Sequence, residues 1–170
     1  AENAYGWWKI TNGQVDFSYV GYEQNGSNWW YVYGGQVCFQ ATDVLPGTVG
    51  GQYGWWKVCE GKVNFDDDVC ENAYGWWKIT TGKVDFQYTG LAQNACGWWM
   101  IQNGHVNFGS NGLVDNGNGW WLVKNGGVDF NYNGLVDNGN GWWLIRNGYV
   151  DLNYNGLVDN GNGWWLVKNG

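Results

Sequence analysis

The side chains of this chain that can do covalent chemistry are few. A nucleophilic Ser or Cys needs a base within reach, and the chain has one histidine, His105, at a position that varies between repeats. Paired carboxylates offer glycoside hydrolysis instead. Yet Asp16, Asp85, Asp129 and Asp151 hold the same place in successive repeats, and a residue reused for structure is a poor unique catalyst. The run Asp66-Asp67-Asp68 reads as a solvated loop. Asp115-Asn116-Gly117-Asn118-Gly119, repeated from Asp137 and Asp159, has the wrong phase for a calcium loop. It reads as a turn of residues that tolerate positive φ. Cys38, Cys59, Cys70 and Cys96 form no C-x-x-C pair for zinc, and suit two disulfides of an exported chain. Their pairing is open. Cys38 and Cys59 share a face in neighbouring units, and Cys70 and Cys96 both fall in connectors, which favours 38–59 and 70–96. We expect no catalytic site, cofactor or metal.

What the chain has in excess is aromatic surface. Its 16 Trp residues form adjacent pairs beginning at Trp7, Trp29, Trp55, Trp76, Trp98, Trp120, Trp142 and Trp164. An exposed Trp beside polar groups stacks on the C–H face of a pyranose whose hydroxyls the neighbours bind, or holds a quaternary ammonium. Early repeats carry the sets Trp7/Lys9/Asp16, Trp55/Lys57/Asn64 and Trp76/Lys78/Asp85. The second repeat, at Trp29, has Tyr31 in place of the Lys and adds Tyr33. The long insertion Gln40 to Gly50, with Pro46, follows it. We therefore expect a ligand site around Trp29, Tyr31, Tyr33 and Trp55, walled by that insertion. Trp7, Lys9, Asp16, Trp76, Lys78 and Asp85 are secondary positions.

The elements that position these rings follow from the period. First members of neighbouring pairs lie 21 to 26 residues apart, the mark of a tandem-repeat architecture. Asn125-Gly126 between two apolar runs is a type I′ hairpin signal, and a Gly recurs six places after the first Trp of every pair. A two-residue turn fixes the register. In the first unit it sets Ile10 opposite Val15 and Trp8 opposite Phe17, on a core face. Lys9 then lies opposite Asp16, on the face bearing Trp7. The residue at the Lys9 position becomes Leu122, Leu144 and Leu166 later, so the first Trp is expected to meet water early and to be partly buried late. The fold is expected to be all-β: tandem β-hairpin repeats forming a solenoid or stacked small sheets. Residues 1–170 read as a single array of seven complete hairpin units plus a partial eighth, irregular over 1–112 and near-identical over 113–170. Gly/Asn-rich connectors leave room for a turn and a short strand.

Composition narrows the partners. The formal charge is −7, which disfavours nucleic acid and anionic lipid. No apolar run reaches the ~18 residues of a membrane span. The chain reads as a segment of a longer secreted protein, with other domains beside it.

The stretch Gly75-Trp76-Trp77-Lys78-Ile79-Thr80-Thr81-Gly82-Lys83-Val84-Asp85-Phe86 resembles the G-W-W-x-[VI]-x-x-G-x-V-[DN]-F repeats of cell-surface proteins from Gram-positive gut bacteria. Asn72-Ala73-Tyr74 recurs as Asn3-Ala4-Tyr5 and belongs to the repeat, as does Asn94-Ala95-Cys96. The resemblance covers all eight units. It implies a non-catalytic, extracellular module on a cell surface that binds α-glucan, as starch or malto-oligosaccharide. More distantly the repeats are similar to choline-binding and glucan-binding repeats, which form β-hairpin solenoids. Choline-type repeats carry a Trp-Tyr-Tyr run where this chain has Trp-Trp and then Val15-Asp16-Phe17. The alternative function is a structural or cell-wall-anchoring module, with choline, teichoic acid or a protein as partner.

Overall fold

A computed structural model describes all 170 residues, in two compact units, Ala1–Phe86 and Gln87–Gly170. Both are built from strands, with no helix. The repeat is a three-stranded element: a connector strand, the strand carrying Trp-Trp, and a two-residue strand after the turn. In the first unit Val20–Asn25 pairs with Asn28–Tyr33, which pairs with Gln36–Val37. Asp68–Asn72, Gly75–Thr80 and Lys83–Val84 repeat the plan. In the second unit it recurs as Gly112–Asp115, Trp120–Lys124 and Gly127–Val128.

The turns have the expected chemistry. Asn12, Asn103, Asn125 and Asn147 have φ near +50°, and each precedes the recurrent Gly, as type I′ geometry requires. Ile10 faces Val15, as the register predicts. The turn Gly also stitches repeats together. Gly126 N–H donates to the Ser110 carbonyl, and its own carbonyl accepts from Met100 N–H at 2.7 Å. Gly148 does the same with Tyr132 and Leu122.

The core is narrower than the register alone suggests. Ile79, Ile101, Val123, Ile145 and Val150 are buried in the interior. Their Phe partners are not. Phe17 is 69% exposed, and Phe65, Phe86, Phe108 and Phe130 also reach water. The Gly of the following turn lies on the backbone at the Phe, as Gly35 does on Asp16 and Phe17 and Gly126 on Asn107 and Phe108, and the Phe side chains stay at the rim. Of the second Trp residues, Trp56 is buried, Trp8, Trp30, Trp77, Trp99, Trp121 and Trp143 are half-buried, and Trp165 is exposed.

The opposite face corrects a second expectation. It does not turn Lys to water in the early repeats. Lys78 is 7% exposed, and Lys57 and Lys9 are partly buried. Each is paired with an acid from a connector: Lys9 with Glu23 and Lys57 with Asp68, both at 2.7 Å, and Lys78 with Asp67 at 3.5 Å. The same interior position holds buried Leu122 and Leu144 later. A charge on this face is tolerated because the connector supplies its counter-ion.

The insertion is also not a pocket wall. Asp43–Val49 is a strand paired along its length with Gln52–Cys59, closed by Gly50-Gly51. Val44 and Val49 are buried. Residues Gln40 to Gly50 supply an ordinary, longer connector strand whose alternating apolar residues need core.

Candidate functional site

The expected site residues do not converge. Trp29 and Tyr31 pack on a cluster of Tyr22, Val49, Trp56, Val58 and Val63. The Tyr31 ring lies 5.5 Å from Tyr22, and burial raises its hydroxyl pKa. Tyr33 is exposed. Trp55 belongs to another cluster, with Val44, Ile79, Val84 and Trp77. Trp76 is half-buried.

The acids at the Asp16 position are occupied locally. Asp16 accepts from Ser18 N–H and from the Ser18 hydroxyl at 2.6 Å, and the hydroxyl bond is the main cause of its lowered pKa. Thr11 and Thr80 hydroxyls donate to Asp16 and Asp85 at 3.4 Å. This is turn chemistry. The four cysteines are free thiols, so the bridges 38–59 and 70–96 are not formed. Cys38 Sγ turns to the Gln36 carbonyl, and Cys70 lies opposite Trp77 in the register.

First Trp residues are exposed late rather than early. Trp120, Trp142 and Trp164 are exposed, whereas Trp7, Trp29, Trp55 and Trp98 are half-buried. A connector ring covers one of the half-buried ones. Tyr74, from the next connector, meets Trp55 at 5.4 Å. The later connectors, such as Asn138-Gly139-Asn140, carry no ring.

What the structure does bring together is a recurring cluster of three rings drawn from two successive repeats. Trp7, Trp30 and Phe39 meet pairwise at 5.1, 5.4 and 5.5 Å. Trp98, Trp121 and Phe130 meet at 5.4, 5.7 and 6.4 Å. Trp55 meets Trp77 at 6.0 Å and Trp77 meets Phe86 at 5.6 Å. Each cluster joins the first Trp of one hairpin to the second Trp and the Phe of the next. The sets are aromatic, partly open to water, and free of a catalytic side chain. They present electron-rich ring faces, suited to a soft cation or an apolar face.

Local devices hold the rings. Asn72 Oδ1 accepts from Tyr74 N–H and from the Trp77 indole N–H at 3.0 Å, and Asn3 and Asn94 treat Trp8 and Trp99 alike. This is the role of the recurrent Asn-Ala-Tyr element. In the later repeats Asn116 Oδ1 accepts instead from Asn118 N–H. There the buried indole N–H groups of Trp121 and Trp143 have no protein partner. The Tyr two places after Phe130 or Leu152 clips the connector: Tyr132 and Tyr154 hydroxyls donate to the Leu135 and Leu157 carbonyls. Their rings also stack under built-in cations, Lys124 at 4.2 Å and Arg146 at 4.5 Å. A cleft of about 460 Å3 adjoins the first of these clusters, among Trp7, Trp8, Trp30 and Glu23, beside the Lys9–Glu23 pair.

The choline-binding repeat family matches residues 1–16, 18–38, 87–107, 109–129, 131–151 and 153–170, more than half of the chain. No curated protein sequence matches. Among solved structures, the chain is similar to CbpJ from Streptococcus pneumoniae at 17% identity, covering 88% of this chain and 50% of that one, with a TM-score of 0.36. It is also similar to choline binding protein F from Streptococcus pneumoniae at 19% identity, covering 92% and 49%, with a TM-score of 0.37. The chain thus spans about half the length of these solved chains.

Proposed function

We propose that this chain, which belongs to the choline-binding repeat family, holds choline-type quaternary ammonium groups in its inter-repeat aromatic clusters and so anchors its parent protein to a choline-bearing cell-wall polymer outside the cell. Family membership makes it a binding module and supports this anchoring alternative over α-glucan. One observation carries the reading at the level of chemistry: the recurrence of three-ring sets such as Trp98, Trp121 and Phe130. A quaternary ammonium donates no hydrogen bond, so it is recognised by ring quadrupoles and apolar contact. A set of rings around it supplies both.

The missing Trp-Tyr-Tyr run is no obstacle. The cluster is assembled in space, from the first Trp of one repeat and the second Trp and Phe of the next. The net charge of −7 attracts cations at long range. Each cation–π contact contributes about 0.5–2 kcal/mol, so a single site is weak, on the order of micromolar to millimolar. Several weak sites on one chain suit a polymer, because each later contact is intramolecular and avidity rises by about 10²–10⁴.

Titration calorimetry of the chain with choline, and separately with maltoheptaose, tests this. Choline is expected to bind with release of heat, and Trp98→Ala to remove or weaken one site about tenfold. Heat with maltoheptaose and none with choline would replace this reading by the α-glucan one.

A further inference from the structure

The clusters are not equal, and the difference lies at one variable position. Within each unit the residue after the turn Gly sits opposite the second Trp of the preceding hairpin. Lys62 faces Trp30 and Lys83 faces Trp56 in the first unit; Gly127 faces Trp99 and Tyr149 faces Trp121 in the second. Gln36 bridges to Trp8 in the same way.

The side chain at this position crosses the glycine that precedes the earlier Trp pair. A Cβ added to Gly54 would stand 2.6 Å from Lys83 Cδ, and one on Gly6 would stand 2.7 Å from Gln36 Nε2. One on Gly119 would collide with the Tyr149 hydroxyl. Where the crossing residue is Gly127, the matching Gly97 has nothing within 4 Å. The glycine of Gly-Trp-Trp is therefore the bed on which the next hairpin lays a variable side chain.

What is laid there decides what a ligand meets. Lys62 Nζ lies 5.7 Å from the Trp30 ring centroid, and Lys83 Nζ lies 5.7 Å from that of Trp56. Both are inside the ~6 Å reach of a cation–π contact. Lys83 Nζ also donates to Gln52 Oε1 at 3.4 Å. A ligand cation arriving at either ring competes for the same electron density and meets a like charge. Tyr149 does the reverse. Its ring meets Trp121 edge-on at 4.8 Å, and its hydroxyl donates to the Asn118 carbonyl at 3.2 Å. It adds a fixed, uncharged ring to Trp98, Trp121 and Phe130.

We infer that the residue after the turn Gly is the selector of each aromatic site: Lys62 closes the one at Trp30, and Lys83 the one at Trp56 and Phe65, whose rings lie 6.2 Å apart, to ligand cations with an ammonium of their own, while Tyr149 completes a four-ring site at Trp121 that is the strongest quaternary-ammonium site of the chain. The inference rests on the choline reading above and deepens it.

The test uses calorimetry with choline chloride on the full chain and on Tyr149→Lys, Lys62→Gln and Lys83→Tyr. Lys already occupies this position against Trp30 and Trp56, so Tyr149→Lys is compatible with the fold, which circular dichroism checks. Tyr149→Lys is expected to weaken the tightest site about 3- to 30-fold. Lys62→Gln and Lys83→Tyr are expected to add heat from a new, weaker site. If choline binds the parent chain and Trp121→Ala removes that binding, yet these three variants bind like the parent, the selector is overturned and the choline reading stands. If choline gives no heat with the parent or with any variant, both fall.

Discussion

Asp68 shows how a single residue links fold to conditions. Burial would raise its pKa, but the hydrogen bond from Lys57 Nζ and the one from Val69 N–H outweigh burial and leave it lowered. Burial likewise opposes the charge on Lys57, and the Asp68 bond leaves its pKa raised. A carboxyl whose folded pKa is lowered contributes stability that is complete above its ordinary value near 4 and is lost as pH falls through the folded value. Asp68→Asn should therefore cost about 2 kcal/mol at pH 7 and flatten the acid limb below about pH 4. Urea melts at pH 7, 4 and 2.5 check this; an unchanged midpoint at pH 7 would show that the pair is spent on solvent. The pairing was not legible in the sequence. Lys57 and Asp68 lie on different strands, and nothing local marks a lysine as interior. The buried leucines Leu122 and Leu144 at the same repeat position are the one signal that this position is interior throughout.

Among elements, the hairpin is the legible one. Asn-Gly turns fix register by φ alone, so the pairing of Ile10 with Val15 followed from spacing. The short connector strands, such as Gly134–Asp137, had room in the sequence too, although they gain stability from tertiary pairing rather than propensity. The Phe–Trp rim was misread as core because a register assigns faces but not depth. The turn Gly is where element and array meet. Gly126 has φ 79°, and a Cβ there would lie 2.6 Å from the Asn107 carbonyl oxygen. Gly126→Ala combines an unfavourable φ with a backbone clash and should cost about 2–3 kcal/mol or more. A thermal midpoint within about a degree of the parent would show that neighbouring repeats move apart freely.

At the scale of the molecule, composition and period indicated an all-β repeat protein, and the family match places it among choline-binding repeats. The ring sets that carry the proposed function could not be read from one repeat, because each is shared by two. Trp98 and Phe130 stand 32 residues apart, yet their rings lie 6.4 Å from each other. The period was the clue: summing one repeat's first Trp with the next repeat's second Trp and Phe yields the cluster once the repeats stack. In the proposed function, these shared clusters receive a quaternary ammonium. Two-dimensional NMR of the indole N–H signals, recorded while choline is titrated in, tests it most directly. Choline is expected to shift the Trp98 and Trp121 indole signals in a saturable way, and maltoheptaose to leave them in place. Saturable binding of choline that leaves both signals unmoved, or shifts produced by maltoheptaose alone, would contradict it.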